Sequence, residues 1–341
     1  MKICFISGPS RPNRCGISDY VRLLTDELKP TGHTISLVSV ESTKDLSFIL
    51  KDQPAYDLYS LQYTPYSFSP KGIVGKPLID LGKTLQDKKI HINFHEIWIG
   101  DYPDAPLKEK LIGWFQKREI RMFLKIIRPQ LVTCSNSAAL DRLRSEKINA
   151  EYLYLFGNIP YSKSEINCNE NLVKVAIFGT LYEKFPYDLL IKRLKEISDI
   201  QKRKLQIRII GRQREGKGLS LLKNLAQQSS FRIHECGELI TDSISHELQN
   251  CDLGVCTTPY DILGKSGATA AMLEHGLPII AFDDGDTPTD KLFVIKEFED
   301  QIFLLNENTF IENLISFMGS ERKPFINGVK KTAKDMIDLI S

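Results

Sequence analysis

A glycine followed by a lysine and a serine is the tail of a phosphate-binding loop, and residues 264–267 read Gly-Lys-Ser-Gly. The full loop, G-x-x-x-x-G-K-[ST], wraps backbone N–H groups around a diphosphate while the lysine reaches its oxygens. Five residues before Gly264 stands Pro259, where the pattern requires a glycine. Proline has no N–H to offer and a fixed φ, so a true P-loop is absent. What remains is a strand-like CDLGVCTT, a tight loop, and an Ala-rich helix closed by Gly276 and Pro278. Ser266 can cap that helix, and the free N–H groups of its first turn suit an anion. On these residues alone, the stretch is either a diphosphate cradle or an ordinary turn between strand and helix.

Other residues with chemical potential are sparser. His95 ends the strand-like KIHINF, at an edge where a ligand would sit, although a lone histidine is more often structural. DDGD at residues 283–286 holds an Asp-x-Asp pair that could ligate a divalent cation, but it follows a late strand and reads as a solvated acidic turn. Seven cysteines show no C-x-x-C and no Cys/His spacing, which excludes zinc and fits free thiols in a reducing cytoplasm. No G-x-G-x-x-G occurs. The first loop has only Gly8 and Gly16, with Pro9, Arg11, Pro12 and Arg14 between them, which argues against a dinucleotide oxidoreductase.

The elements that must position these residues alternate. KICFIS, HTISLVSV, LYSLQY, KIHINF and LVTCS form one series of short apolar runs, and VKVAIFG, LQIRIIG, FRIHECG, CDLGVCTT and LPIIAF form a second. Helical patterns or longer connections separate them, the rhythm of a parallel sheet. In the first helix Ser18 is placed as the cap, with Val21, Leu24 and Leu28 on one face. The polar stretch NIPYSKSEINCNENL divides the two series. The chain is therefore expected to be α/β, with two doubly wound Rossmann-like domains facing across a cleft. The N-terminal domain spans 1–160 and the C-terminal domain 171–320, and a terminal helix at 321–341 is expected to pack back on the first domain. At 42% hydrophobic, with 26% charged residues and a net charge of +2, it is a soluble composition with no general nucleic-acid signature. No run is long and apolar enough to span a bilayer, and MKICFISGPS is a strand, not a signal peptide.

Taken in order, PNRCGISDYVRLLTDELKPTGH, FHEIW, FGTLYEK, GELITDSISHELQNCDLGV and EHGLPII resemble the GT-B glycosyltransferases, the GT4-like group in particular, from residue 3 to about 285. The resemblance implies a nucleoside diphosphate sugar, UDP- or GDP-linked, as donor. Where the family has Gly-Gly at the first helix, this chain has Cys15-Gly16, placing Gly16 by the donor diphosphate. His95 matches the histidine beside the transferred sugar. Gly179 and Lys184 match the glycine and lysine of the family's phosphate loop, while its arginine is replaced by Thr180. Arg212 or Arg214, or Arg11 or Arg14, could supply the missing charge. Lys184 and His95 are thus the implied catalytic groups, and Gly179, Lys184, Lys265, Ser266 and Gly267 the implied diphosphate contacts. Gly211, Arg212, Gly237 and Leu239 are placed at the base and ribose, and Arg11, Arg14, Tyr63, Tyr66 and Trp98 on the acceptor side. The family's E-x7-E glutamates are absent, with Leu263 and Ala271 in their places, and some GT-B branches carry Ser-Gly here, as Ser266-Gly267 does. Glu274 is expected to face solvent.

The resemblance further implies a saccharide or lipid-linked acceptor, metal-independent and retaining transfer, no cofactor and no nucleic acid. Residues 107–130 are helical in period and rich in base, with Leu111, Trp114 or Phe115, Phe123 and Ile127 as an apolar stripe. They are either a helix packed on the sheet or a peripheral membrane contact of a cytoplasmic enzyme. The alternatives to a transferase are a catalytically degenerate nucleotide- or partner-binding GT-B module and a nucleotide-sugar epimerase or hydrolase.

Overall fold

Strands buried on both faces by crossover helices must be apolar along their whole length, and both strand series have this character. In a computed structural model of the 341-residue chain, describing residues 1–9, 16–41, 50, 55–102, 104–165, 171–213, 216–283 and 295–340, they form two six-stranded parallel sheets. Contacts group Met1–Tyr154 with Val329–Ser341 as one unit and Leu155–Gly328 as the other.

The first sheet contains β1 (Lys2–Ser7), β2 (Thr34–Ser39), β3 (Leu58–Tyr63), β4 (Ile90–Phe94), β5 (Leu131–Cys134) and β6 (Glu151–Tyr152). Its spatial order is β2-β1-β3-β4-β5-β6. The intervening helices are α1 (Gly16–Leu28), α2 (Pro65–Phe68), α3 (Lys76–Leu85), α4 (Leu107–Ile127) and α5 (Ser137–Ser145). Val21, Leu24 and Leu28 of α1 are buried together, as their spacing predicts. Ser18 is not the cap. It lies inside α1, and its hydroxyl donates to the Pro9 carbonyl at 3.3 Å. In α4 the buried residues are Gly113, Gln116, Ile120, Phe123 and Ile127, a continuous three-four spacing. That corrects the sequence-based stripe: Leu111, Trp114 and Phe115 are exposed.

The second sheet contains β7 (Leu172–Phe178), β8 (Lys204–Ile210), β9 (Arg232–Gly237), β10 (Leu253–Val255), β11 (Ile279–Ala281) and β12 (Ile302–Leu304), in the order β12-β11-β10-β7-β8-β9. Its helices are α6 (Tyr187–Gln201), α7 (Lys217–Gln228), α8 (Thr241–Gln249), α9 (Gly267–Glu274) and α10 (Phe310–Met318). Leu190, Leu194 and Ile197 of α6 pack with Val173, Val175, Ile207 and Ile209 in one aliphatic core. The last helix, α11 (Gly328–Ile340), belongs by its contacts to the first unit. There Thr332 donates to the Tyr154 carbonyl at 2.9 Å, and Gln130 donates to the Ile340 carbonyl at 3.0 Å. Among the described residues no helix is long and apolar enough to cross a membrane.

Candidate functional site

In an open parallel sheet the free backbone groups at the carboxyl ends of the strands are the natural ligand positions, above all where the strand order reverses. In the second sheet that reversal lies between β7 and β10. The loop leaving β7 and the start of α9 meet there. A Cβ added to Gly179 would stand 3.0 Å from Ala268 Cβ, and Gly179 has φ +103°, which L side chains rarely adopt. Ser266 caps α9, its hydroxyl oxygen accepting from Thr269 N at 3.2 Å, as the sequence leads one to expect. The N–H groups of Gly267 and Ala268 then precede the first backbone bond of the helix, which Ala270 N makes to Ser266 O at 3.0 Å.

The loop after β7 is pinned on three sides. Thr257 at the end of β10 donates its hydroxyl to the Thr180 carbonyl at 2.7 Å and accepts from Tyr182 N at 3.0 Å. Gln213, after β8, donates to the Gly179 carbonyl at 3.1 Å. Tyr187 at the start of α6 donates to the Tyr182 carbonyl at 2.9 Å. Sequence reasoning missed Thr257 and Gln213. Their signal was a polar pair closing an apolar strand at Thr257-Thr258, and an amide immediately after the Gly211-Arg212 turn.

Between the loops after β7 and β8 lies a cavity of about 540 Å³, lined by Gly179, Thr180, Glu183, Gly211, Arg212 and Gln213 among others. Of the residues placed in advance on this edge, Gly179, Gly211 and Arg212 line it. Lys184 is exposed and does not, whereas the neighbouring Glu183 does and lies 3.9 Å from Lys217. Arg212 is exposed and has no hydrogen-bond or ion-pair partner among the described residues. Lys265 ends the 3-10 turn before Ser266 and is half-buried. Gly237 closes β9, its carbonyl accepting from Gly211 N at 2.9 Å, and Leu239 is half-buried two residues on. Gly267 has open surroundings, since a Cβ there would come no closer than 3.6 Å to Asn158. Leu263 and Ala271 are wholly buried.

At the far end of α9 the expectation for Glu274 fails. It is only 7% exposed, and its carboxylate accepts from Gly157 N at 3.1 Å. A Cβ on Gly328 would collide with that carboxylate, and the Glu274 carbonyl accepts from Phe325 N at 2.8 Å. An acid at a helix C-terminus opposes the helix dipole, and a backbone donor offsets that cost.

In the first unit His95 follows β4 and is 7% exposed, with Tyr20 of α1 edge-on at 5.0 Å. Its Nε2 lies 2.9 Å from Gln62 Oε1, and burial pushes its pKa down to about 4. Tyr63 is a core residue, 1% exposed, set between Phe68 and Phe94, and burial raises its hydroxyl well above the usual tyrosine range. Tyr66 is exposed. Trp98 is buried, donates to Asp101 at 2.9 Å, has the Lys117 ammonium 4.9 Å from its ring, and lines a second cavity of about 540 Å³ with Tyr102, Lys110 and Trp114. Gly16 opens α1 with nothing within 4 Å of where its Cβ would be. Arg11, Arg14, Cys15, Cys168, Arg214 and residues 284–286 lie outside the described residues. Cys4, Cys134, Cys236, Cys251 and Cys256 are free thiols.

No family model matches the chain, and no curated protein does. Solved structures do. Anabaena HepE in complex with UDP and glucose superposes with a TM-score of 0.58 at 12% identity, over 100% of this chain and 96% of that one. An alpha-glucosyltransferase in complex with UDP and a 13-mer DNA gives 0.57 at 11% identity, over 100% and 99%. The UDP-GlcNAc 2-epimerase of Methanocaldococcus jannaschii gives 0.55 at 13%, over 99% of each. End-to-end likeness at such identity speaks to fold, and the chain has the two-domain α/β architecture of the GT-B glycosyltransferases.

Proposed function

We propose that the chain is a glycosyltransferase that moves a sugar from a nucleoside diphosphate donor to a saccharide or lipid-linked acceptor without a divalent metal. The observation that carries this reading is the carboxyl edge of the second sheet. There Gly179, at positive φ, and Arg212, which has no partner among the described residues, line one cavity, the capped start of α9 stands beside Gly179 just outside it, and solved neighbours of this fold include complexes with UDP. The α9 N–H groups and Arg212 would hold the diphosphate and Lys184 would reach it from the loop after β7, stabilising charge as it develops on the leaving group. The bond from the sugar's anomeric carbon to the diphosphate oxygen breaks, and a bond to the acceptor oxygen forms. The departing phosphate takes the acceptor's proton, so no enzymic base is required.

Calorimetry with UDP, GDP and the bare nucleosides tests this. A charge-assisted contact contributes about 1.5–3 kcal/mol, so Arg212→Ala and Lys184→Ala should each weaken the diphosphate roughly ten- to a hundredfold and leave the nucleoside unaffected. Unchanged diphosphate affinity in both variants, with the fold intact, would leave this edge an ordinary set of loops and favour a non-catalytic module. Turnover insensitive to EDTA checks metal independence. The epimerase neighbour supports a second reading, which is favoured if incubation with a nucleotide sugar yields its isomer and no transfer product.

The acceptor side is tied to α4, which exposes Leu107, Leu111, Trp114 and Phe115 among Lys108, Lys110, Arg118 and Arg121. That combination supports a peripheral contact with an anionic lipid surface. Co-sedimentation with anionic vesicles that Leu111→Glu and Trp114→Glu abolish is the expected result, and equal binding by both variants would exclude it.

A further inference from the structure

The first sheet carries a closed ring of hydrogen bonds in its interior. Gln62 Nε2 donates to Ser60 Oγ at 2.9 Å, and Ser60 Oγ lies 3.0 Å from His91 Nδ1. His91 Nε2 lies 2.8 Å from Thr133 Oγ1, which donates to Asn93 Oδ1 at 3.0 Å. Asn93 Nδ2 returns to Gln62 Oε1 at 3.2 Å. All five residues are buried, on the same face of β3, β4 and β5, where Ser60 pairs with His91, Gln62 with Asn93, and Asn93 with Thr133.

With the Gln62 and Asn93 amides oriented as they stand, counting protons fixes the direction. Thr133 has one hydroxyl proton and gives it to Asn93, so it must accept from His91 Nε2–H. A neutral imidazole has only that proton, so His91 Nδ1 accepts from the Ser60 hydroxyl, whose oxygen accepts from Gln62. Each member donates once and accepts once around the ring. Gln62 Oε1 receives Asn93 Nδ2–H, and the remaining group pointing at it, 2.9 Å away, is His95 Nε2. Asn93 Nδ2 also lies 3.4 Å from His95 Nε2, but an amide oxygen only accepts and the shorter 2.9 Å contact with Gln62 Oε1 needs a proton between its two atoms, so the His95 proton sits on Nε2. Burial keeps both imidazoles neutral, His91 down to about 3 and His95 down to about 4. His95 Nδ1 makes no hydrogen bond to any described residue.

We infer that this ring fixes His95 as the Nε2–H tautomer, with Gln62 as the positioning residue, so that His95 presents an Nδ1 lone pair able to accept a hydrogen bond from a hydroxyl group. A lone pair has nothing to donate to a phosphate oxygen, so a group bound at Nδ1 would have to be a donor such as a hydroxyl and not an anion. That the hydroxyl belongs to a sugar rests on the transferase reading, whereas the tautomer does not. Turning both amides over would run the ring in the opposite sense and move the proton to His95 Nδ1, which gives the inference its alternative.

Long-range 1H–15N correlation on histidine-labelled full-length protein reads the tautomer directly, with His95→Gln assigning the signal. A protonated Nε2 and an unprotonated Nδ1, unchanged between pH 7 and 5.5, is the expected result. An Nδ1–H pattern, or an average of the two, overturns the inference. Gln62→Glu keeps acceptors toward Asn93 and His95 while adding a negative charge, and should raise the His95 pKa by about 1–3. No rise would mean that position 62 does not control the imidazole. Gln62→Leu should give mixed tautomers and slower turnover with UDP or GDP affinity unchanged, and an unaltered tautomer there would also remove Gln62 from its role. The two readings fail separately: a correct tautomer without nucleotide-sugar turnover sinks the transferase alone, and transfer activity with an Nδ1–H imidazole sinks the ring alone.

Discussion

Each of the two sheets reverses its strand order once, between β1 and β3 in one and between β7 and β10 in the other, yet their interiors are made of different chemistry. Around the second reversal the facing residues are Val173, Val175, Ile207, Ile209, Leu253 and Val255. In the first sheet, Ser60, Gln62, His91, Asn93 and Thr133 occupy a buried face. Burying an aliphatic side chain contributes about 1.5–3 kcal/mol, whereas a buried hydrogen-bonded pair contributes on the order of 1 kcal/mol and penalises any missing partner. The aliphatic sheet shows that this architecture does not require polar residues inside it. Their presence in one sheet calls for a reason other than stability, and holding an imidazole in one protonation state is such a reason.

Acid should separate the two interiors most strongly. Burial lowers His91 and His95 below the ordinary 6.5, with the charge of His95 adding to the effect on His91. The unfolded chain therefore takes up protons first. Their contribution is complete above about pH 6.5 and is lost as pH falls toward 4 and then 3, at roughly 1.4 kcal/mol per pH unit for each histidine. Urea unfolding between pH 7 and 4.5 should show this slope, and His91→Gln with His95→Gln should flatten it. His275 in the second unit is lowered in the same direction, chiefly by burial, and would leave a residual slope in that double variant.

Next in size, Ile207→Ala in the aliphatic sheet should cost about 2–5 kcal/mol in denaturant midpoint analysis, because β8 cannot collapse into the space left. Asn93→Leu in the polar sheet should cost about 1–3 kcal/mol for an effect of another kind, leaving Gln62 Oε1 and the Thr133 hydroxyl short of a partner. If the two midpoints moved alike and the pH slope of Asn93→Leu matched the wild type, the polar ring would be no more than packing. Ser266→Ala removes the α9 cap and should cost about 0.5–2 kcal/mol. Smallest of all, Gly267→Ala should fall within about 0.5 kcal/mol of zero, since its site is open. Gly179→Ala should be clearly worse, for its φ is positive and Ala268 is close.

That the chain builds two parallel sheets was legible in the alternation of apolar runs with helical ones, because a parallel strand buried on both faces leaves a continuous apolar trace. The two-residue β6 left none, being too short for any period to register, and β12 went unread although β10 and β11, read within longer apolar runs, are no longer than its three residues. Ser266 as a cap and the break at Gly276 could be read because capping chemistry is local. Glu274 was misread because its partners, Gly157 and Phe325, are distant in sequence, and no local rule reports a backbone donor brought in from afar. The ring was half visible: Ser and Gln alternate in LYSLQY, and His and Asn in KIHINF, which is polar spacing at the period of a strand face. Only the register between strands shows that those residues meet.

The chain path through the two units also sets an order of assembly. All of Leu155–Gly328 is contiguous, so the second unit has its whole sequence once the ribosome passes residue 328. The first unit, although it begins earlier, still lacks α11, whose Ala333, Met336 and Ile340 are buried. Domains that are continuous in sequence commonly fold from the N-terminus as they emerge. Here the unit carrying the polar ring has all six of its strands by Tyr152 but receives its last helix only after translation has delivered its aliphatic counterpart whole.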